Sequence, residues 1–123
     1  MRLLLDTHVL LWWLADDRRL GDDHRALIAD ASNIVLISAM TVTEIAIKTS
    51  LGKLEAPGDL LPTLEAGGFE ELTFEARHAE VLRTLPWHHR DPFDRMLLAQ
   101  AITDHLTVLT ADPHFAAYGV DLL

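Results

Sequence analysis

The sequence predicts an α/β fold: a single three-layer sandwich with a mostly parallel central sheet of four to five strands. Short apolar runs of strand length, at residues 3–5, 34–37, 69–72 and 107–109, alternate with longer stretches of helical spacing. That alternation implies a sheet covered by helices on both faces. No repeat, low-complexity tract or linker interrupts it, so residues 1–123 read as one domain, long enough to bury a core.

Taken in order, Leu3, Leu4 and Leu5 form a buried strand that ends in the polar Asp6-Thr7-His8. Residues 9–14 follow as a helix, with Leu10, Trp13 and Leu14 at helical spacing. Gly21 breaks the chain, and Asp22-Asp23 opens a second helix through about Ala31, with acids at its positive end. Asn33 marks a turn before Ile34-Val35-Leu36-Ile37, the clearest strand. Ser38 or Thr41 caps the next helix, which carries Val42, Ile45 and Ile47 and is closed by Gly52. Pro57-Gly58 starts a short helix through Leu64, and Gly67-Gly68 ends it. Residues 69–72 form a third strand and 75–83 a helix, and 86–90 is a loop rich in histidine and aromatic residues. Pro92 begins a strong helix to Thr103, followed by the strand 107–109. A helical turn near Pro113 leads to a last extended piece around Val120.

Composition excludes several chemistries. There is no cysteine, so disulfides, thiolate metal sites and cysteine nucleophiles are absent. No apolar run reaches the roughly 18 residues of a membrane span. The opening Met1-Arg2-Leu3-Leu4-Leu5 is cut by Asp6 and His8 before it can serve as a leader, and a cytoplasmic location is expected. The net charge of −9 argues against a simple basic-face binder of nucleic acid. It is compatible with a nuclease that gathers carboxylates around bound cations, because the ion changes the local sign.

Four acids can meet at one place. In a parallel sheet the carboxyl ends of the strands share one edge, where ligands bind. Asp6 ends the first strand, Glu44 lies just inside the helix after the second, and Asp112 lies just beyond 107–109. Asp94, in the first turn of the long helix, reaches that edge if the preceding loop crosses over. Each acid alone also reads as helix capping. Thr41-x-x-Glu44 has the form of a capping box, Asp91-Pro92-Phe93-Asp94 of a cap with a first-turn acid, and Asp112-Pro113 of a cap and proline. Capping does not demand carboxylates at every such place, however, and clustered carboxylates repel unless a cation neutralises them. An oxygen-only donor set suits magnesium or manganese rather than zinc.

The same residues resemble a known family. Leu3-Leu4-Leu5-Asp6-Thr7-His8-Val9-Leu10 resembles the opening strand motif of PIN domains, and the segment from Ser38 through Glu44 to Lys48 their second acidic motif. His89-Arg90-Asp91-Pro92-Phe93-Asp94-Arg95-Met96-Leu97-Leu98-Ala99-Gln100-Ala101 is similar to the third, in the variant of one subgroup of bacterial toxins. Leu109-Thr110-Ala111-Asp112-Pro113-His114-Phe115 resembles the fourth. The resemblance spans nearly the whole chain, and the 89–101 block is its most specific part. It implies a VapC-like toxin: a metal-dependent RNA endonuclease, commonly a homodimer, held inactive by a co-expressed antitoxin protein. It further implies Asp6 and Asp94 as the principal ligands of Mg2+ (or Mn2+), Glu44 completing the cluster, and Asp112 holding a metal or its water from the far side. Thr110 matches a hydroxyl position beside the fourth acid, and Asp91 is a helix cap first and a supporting carboxylate second.

Other residues are weighed against plainer roles. Lys48 follows Glu44 by one helical turn and predicts a surface ion pair. Lys48, Lys53, Arg90 and Arg95 are candidates to line an RNA path. The histidines show no zinc spacing on a helix; His8 and the His88-His89 pair are expected to border the site without acting in it. Adjacent Trp12 and Trp13 cannot both face one core, which leaves one for a dimer or antitoxin surface. Two rival enzymes fail at residues they require. A response receiver needs an Asp at the end of its third strand, where Thr73 stands, and a later Lys, which is absent after Lys53. A haloacid-dehalogenase-type site needs Asp-x-Asp where this chain has Asp6-Thr7-His8. The alternative to catalysis is a PIN-like scaffold that binds RNA or protein without cutting.

Overall fold

The structure is a computed structural model describing residues 1–123. Its centre is a five-stranded sheet in the order β3-β2-β1-β4-β5. The strands are β1 (Arg2–Leu5), β2 (Ile34–Ser38), β3 (Glu70–Leu72), β4 (Thr107–Leu109) and β5 (Asp121–Leu122). Every pairing is parallel, so the sheet is wholly parallel. The helices are α1 (Thr7–Leu14), α2 (Asp22–Ala29), α3 (Ala39–Ser50), α4 (Leu60–Ala66), α5 (Ala76–Val81) and α6 (Pro92–Asp104), with a 3₁₀ helix over Pro113–Tyr118.

The uninterrupted leucines of β1 are explained by its central place. Leu3, Leu4 and Leu5 are all fully buried. The pleat turns alternate residues to opposite faces. Leu4 aligns with Leu36 of β2 and Val108 of β4, and these three share one core with Leu97, Leu98 and Ala101 of α6. Leu3, Leu5, Val35 and Leu109 face the other way, against Val9 and Leu10 of α1, Ile28 of α2, Ile45 of α3 and Leu64 of α4. These two cores are the sandwich. Each buried leucine contributes about 1.5–3 kcal/mol. Trp12 and Trp13 are both half-buried against the second of these cores, so neither is wholly free.

Several boundaries move, each for a local reason. The first helix begins at Thr7 rather than Val9, because Asp6 caps it at the very end of the strand. The helix expected from Pro57-Gly58 begins at Leu60, with those two residues left in irregular structure. Of the two caps possible for α3, Ser38 is used: its Oγ accepts from Met40 N–H at 3.0 Å and donates to Gln100 Oε1 of α6 at 2.6 Å. Thr41, the other candidate, lies within the helix with its hydroxyl buried and unpartnered. Fully buried His78 of α5 accepts from Glu75 N–H and meets Asp104 of α6 at 2.9 Å, fastening the two helices.

The order of strands sets the site. From β1 the chain first steps to β2 and β3, then returns through α6 to β4 on the opposite side of β1. The crevice at such a reversal, beyond the strand ends, is where α/β sheets bind ligands. Here the ends are tied, with Asp6 N–H donating to Leu109 C=O at 3.1 Å.

Candidate active site

Asp6 and Asp112 leave the two strands that flank the reversal, and Thr110 joins them. Asp6 Oδ1 accepts from Val9 N–H at 2.8 Å, which is the α1 cap, and its Oδ2 accepts from the Thr110 hydroxyl. The same hydroxyl oxygen accepts from Asp112 N–H at 2.9 Å. Asp112 in turn caps the 3₁₀ helix, accepting from His114 N–H at 2.9 Å. Capping and clustering therefore coexist: one carboxylate oxygen fixes the helix end while the other faces its neighbours.

Glu44 enters from α3 and is 4% exposed. Its Oε1 accepts from the Thr7 hydroxyl at 2.7 Å, and its Oε2 meets Lys48 Nζ at 2.5 Å. The pair with Lys48 is thus only half a surface pair, since its acidic partner is buried. Asp94 lies in the first turn of α6, beneath the Asp91 cap, which accepts from Phe93 N–H at 2.9 Å and from Asp94 N–H at 3.1 Å. No hydrogen bond from the chain reaches the Asp94 carboxylate; His89 Nε2 lies 3.0 Å from its Oδ2.

His89 is the residue that sequence reasoning left at the border. Its Nε2 lies 2.9 Å from Asp112 Oδ2 and 3.0 Å from Asp94 Oδ2, so it stands between two of the four acids. Asp91 N–H donates to its Nδ1 at 3.1 Å, which leaves the ring proton on Nε2, aimed at Asp112. His114 Nδ1 approaches the other oxygen of Asp112 at 2.8 Å. Twenty-odd residues separate the two histidines in sequence, so no spacing rule for helical metal ligands finds them. Their placement around Asp112 makes a compact His-Asp-His group. The Asp91 N–H on Nδ1 favours the tautomer with the proton on Nε2, in which His89 donates to Asp112.

The electrostatics separate the acids. Burial pushes Asp94 up, the Asp91 carboxylate pushes it further, and Asp6 and Glu44 add to this against the pull of His89, to about 7. Burial also raises Asp6, although Thr110 and Val9 N–H oppose it. For Asp112 burial acts upward too, but His114 N–H, His89 and the His114 ring outweigh it and hold the carboxyl below its usual range. The bond to Glu44 raises Lys48, with Asp91 and Asp94 contributing. The four acids thus sit close enough to perturb one another, and Asp91 joins them.

The charge balance around Asp94 bears on whether a cation could be held here. Asp94 has no donor aimed at it, is pressed by three other carboxylates, and retains 23% exposure of its side chain for access. Asp6, Glu44, Asp91 and Asp94 lie near enough to act on one another by charge, while the donor atoms that lie within 4.8 Å of one another are those of His89, Asp112 and His114. Clustered hard oxygens of this kind would be neutralised by a cation.

The basic residues divide. Lys48 reaches the site through Glu44. Arg95 serves the loop rather than solvent: it is 4% exposed, and its guanidinium donates to the carbonyls of Leu85 (3.1 Å), Pro86 (2.8 Å) and His89 (3.3 Å). It is the staple of the 85–90 loop, as an i+1 neighbour pointing around the helix from Asp94. Arg90 is exposed and makes no ion pair with an acid, and Lys53 is exposed likewise. His8 is exposed, with its ring 6.0 Å from that of Trp12.

Comparison with known proteins agrees with this architecture. The PIN domain family matches residues 3–121, and the chain belongs to that family. The fold is similar to a chain of VapBC2 from Rickettsia felis bound to a promoter DNA fragment, at 16% identity, TM-score 0.72, and coverage of 100% of this chain and 98% of that one. It is also similar to DNA-bound VapBC from Salmonella typhimurium (19%, TM-score 0.73, 100% and 97% covered). VapBC-5 of Mycobacterium tuberculosis, a member of the VapBC family of toxin–antitoxin systems, shares 25% identity at TM-score 0.63, covering 99% and 97%. No curated protein sequence gives a significant match. No helix is long and apolar enough to cross a membrane.

Proposed function

We propose that this chain is a Mg2+-dependent endoribonuclease, the toxin of a bacterial toxin–antitoxin pair, acting on RNA in the cytoplasm. The observation that carries the reading is the Asp94 carboxylate, pushed up to about 7 with no hydrogen-bond donor, among Asp6, Glu44 and Asp91 at the reversal of a PIN sheet. A cluster so repulsive is reasonable where a cation completes it. Asp6, Asp94 and Asp112 would hold Mg2+, with Mn2+ as a substitute and Glu44 as the fourth acid of the site. The bound ion supplies a water of lowered pKa and neutralises charge on the phosphate.

The chain's own residues orient that chemistry. Thr110 fixes the Asp6 carboxylate, and Thr7 with Lys48 fixes that of Glu44. His89 orients Asp112 and stands beside Asp94. Structures of similar fold are described as VapBC, one of them as a member of a family of toxin–antitoxin systems, and this supports a cognate antitoxin as the protein partner here. The assembly is expected to be a homodimer. The purified protein, free of antitoxin, is incubated with total RNA and Mg2+ or Mn2+, with EDTA and Asp6→Asn as controls. Discrete fragments lost in both controls are expected. Intact RNA with every metal, from folded protein, sinks the reading and leaves the non-cutting scaffold.

A further inference from the structure

The loop that carries His89 also carries the most exposed large apolar side chain of the protein, Trp87, at 74%. An exposed indole is normally mobile and costly. This one is fixed, because the Arg95 guanidinium lies 3.6 Å from its ring centroid. Arg95 is itself immobilised by its three carbonyl bonds, and Tyr118 ties the same loop by accepting from His89 N–H at 2.7 Å and donating to Pro86 C=O at 2.8 Å. The ring therefore presents a flat apolar surface whose position is set before anything binds. Pre-set surfaces lose less entropy on binding.

Its surroundings indicate the ligand. A recess of about 230 Å³ is lined by Leu82, Trp87, Arg90, Pro92, Arg95 and Met96, without a single carboxylate. In a chain of net charge −9, an acid-free recess combining an indole with an unpaired exposed arginine is a local reversal of sign. By contrast, the pocket lined by Ile37, Leu61 and Phe69 carries Glu65, Glu70 and Glu71, which repel phosphate. Trp87 lies two residues before His89, a span of at most about 7 Å of chain. His89 touches Asp112 and stands beside Asp94. An exposed aromatic face beside an arginine, on the loop that carries His89 to the acids, is an arrangement that stacks an unpaired base.

We propose that Trp87 is a stacking platform for an unpaired base of single-stranded RNA, with Arg90 meeting an adjoining phosphate. The proposal rests on the ribonuclease reading above and names the form of RNA it takes. Base–aromatic stacking carries sequence-tolerant affinity, so the platform selects unstacked strands over duplex rather than one sequence.

The test uses the whole protein and a short fluorescein-labelled single-stranded oligoribonucleotide. Binding is read by anisotropy without divalent ions, and cleavage kinetics are read with Mn2+. Trp87→Ala is expected to weaken binding and raise KM by about 5- to 150-fold, the range of one stacked base, with a much smaller change in kcat. Trp87→Phe, which keeps a ring, is expected to restore most of the affinity. An oligonucleotide with one abasic position beside the cleaved bond should bind the parent as weakly as the intact strand binds Trp87→Ala, with no further loss in the variant. Unchanged binding by folded Trp87→Ala overturns the platform even if the parent cleaves RNA. So does a loss confined to antitoxin binding, which would make the ring a protein anchor. A parent that binds the oligonucleotide through Trp87 but never cleaves it keeps the platform and removes the nuclease.

Discussion

His89 Nε2 and Asp112 Oδ2 are 2.9 Å apart, and the backbone N–H of Asp91, at 3.1 Å from Nδ1, keeps the ring proton on the side facing that carboxylate. The cap of α6 and the fourth acid of the site are thereby linked through one imidazole. Loss of that link affects how the acids are aimed rather than whether they are present. His89→Ala is expected to lower Mn2+ affinity or turnover by about 10- to 100-fold, the usual cost of losing an orienting partner. His89→Gln, whose amide N–H can reach toward the same carboxylates, should recover part of it. Metal affinity is read from the dependence of Tm on Mn2+ concentration. An Ala variant that binds Mn2+ as tightly as the parent and turns over normally would refute the orienting role.

Asp94 gives the metal-free protein a pH dependence of defined sign. Its carboxyl is raised from 3.8 to about 7, so between these values the folded state holds a proton that the unfolded state has released. Stability therefore falls as pH rises from about 4 to about 7, and the full cost is present above that window. At about 1.4 kcal/mol per unit the ceiling is about 4 kcal/mol, reduced by the partial exposure of the group to roughly 2–3 kcal/mol. Asp6, also raised, adds in the same direction. In EDTA, Tm should decline across this range, and Asp94→Asn should flatten the decline and melt above the parent at pH 8. Mn2+ should raise the parent's Tm most at high pH, where its ligands are deprotonated, and this rise should vanish in Asp94→Asn. A parent Tm that climbs from pH 5 to pH 8 without metal would contradict the assignment.

Much of this was legible in the residues. The leucines of β1 and the apolar run of β2 announced buried parallel strands because both their faces are covered, and the two cores separate Leu4 from Leu3 and Leu5 as the pleat requires. Asp6, Glu44, Asp94 and Asp112 could be placed at one edge because each follows a strand or opens a helix there. The histidine contacts were not legible. His89 and His114 reach Asp112 through the path of two irregular segments, which no periodicity encodes. The loop-binding role of Arg95 was hidden for a related reason: its three acceptors are loop carbonyls, and a carbonyl leaves no mark in the sequence. Ser38 and Thr41 were equal candidates as caps by type, and only the contact with Gln100 on a distant helix favours Ser38.

Thr7 is the sole hydroxyl donor to Glu44 Oε1, at 2.7 Å, and both residues are about 4% exposed. Thr7→Val preserves shape and removes the donor, leaving a buried carboxylate oxygen unsatisfied. The expected loss is about 1–3 kcal/mol of unfolding free energy. Denaturant melts in EDTA measure it. Because Lys48 still holds Oε2, Glu44→Gln in the Thr7→Val background should cost less than Glu44→Gln alone, as expected for residues in one network. Additive losses would show that the two residues are independent despite their contact.

Arg95 offers the sharpest separation between a structural and an RNA-contacting arginine. A phosphate contact needs positive charge and tolerates lysine in part, whereas three carbonyls in a fixed arc need a planar guanidinium. The arc is the 85–89 loop, and the stacked Trp87 ring covers the guanidinium from outside. Arg95→Lys keeps the charge, loses the fork, and leaves the buried Leu85 carbonyl without its donor. It should therefore cost about 2–4 kcal/mol and free the loop, shown by faster proteolysis within 85–90. Arg90→Lys, at an exposed position with no acidic partner, should leave stability within about 0.5 kcal/mol. Should Arg95→Lys melt like the parent while raising the salt sensitivity of RNA binding, Arg95 would belong to the RNA path after all, and its carbonyl bonds would be incidental to the fold.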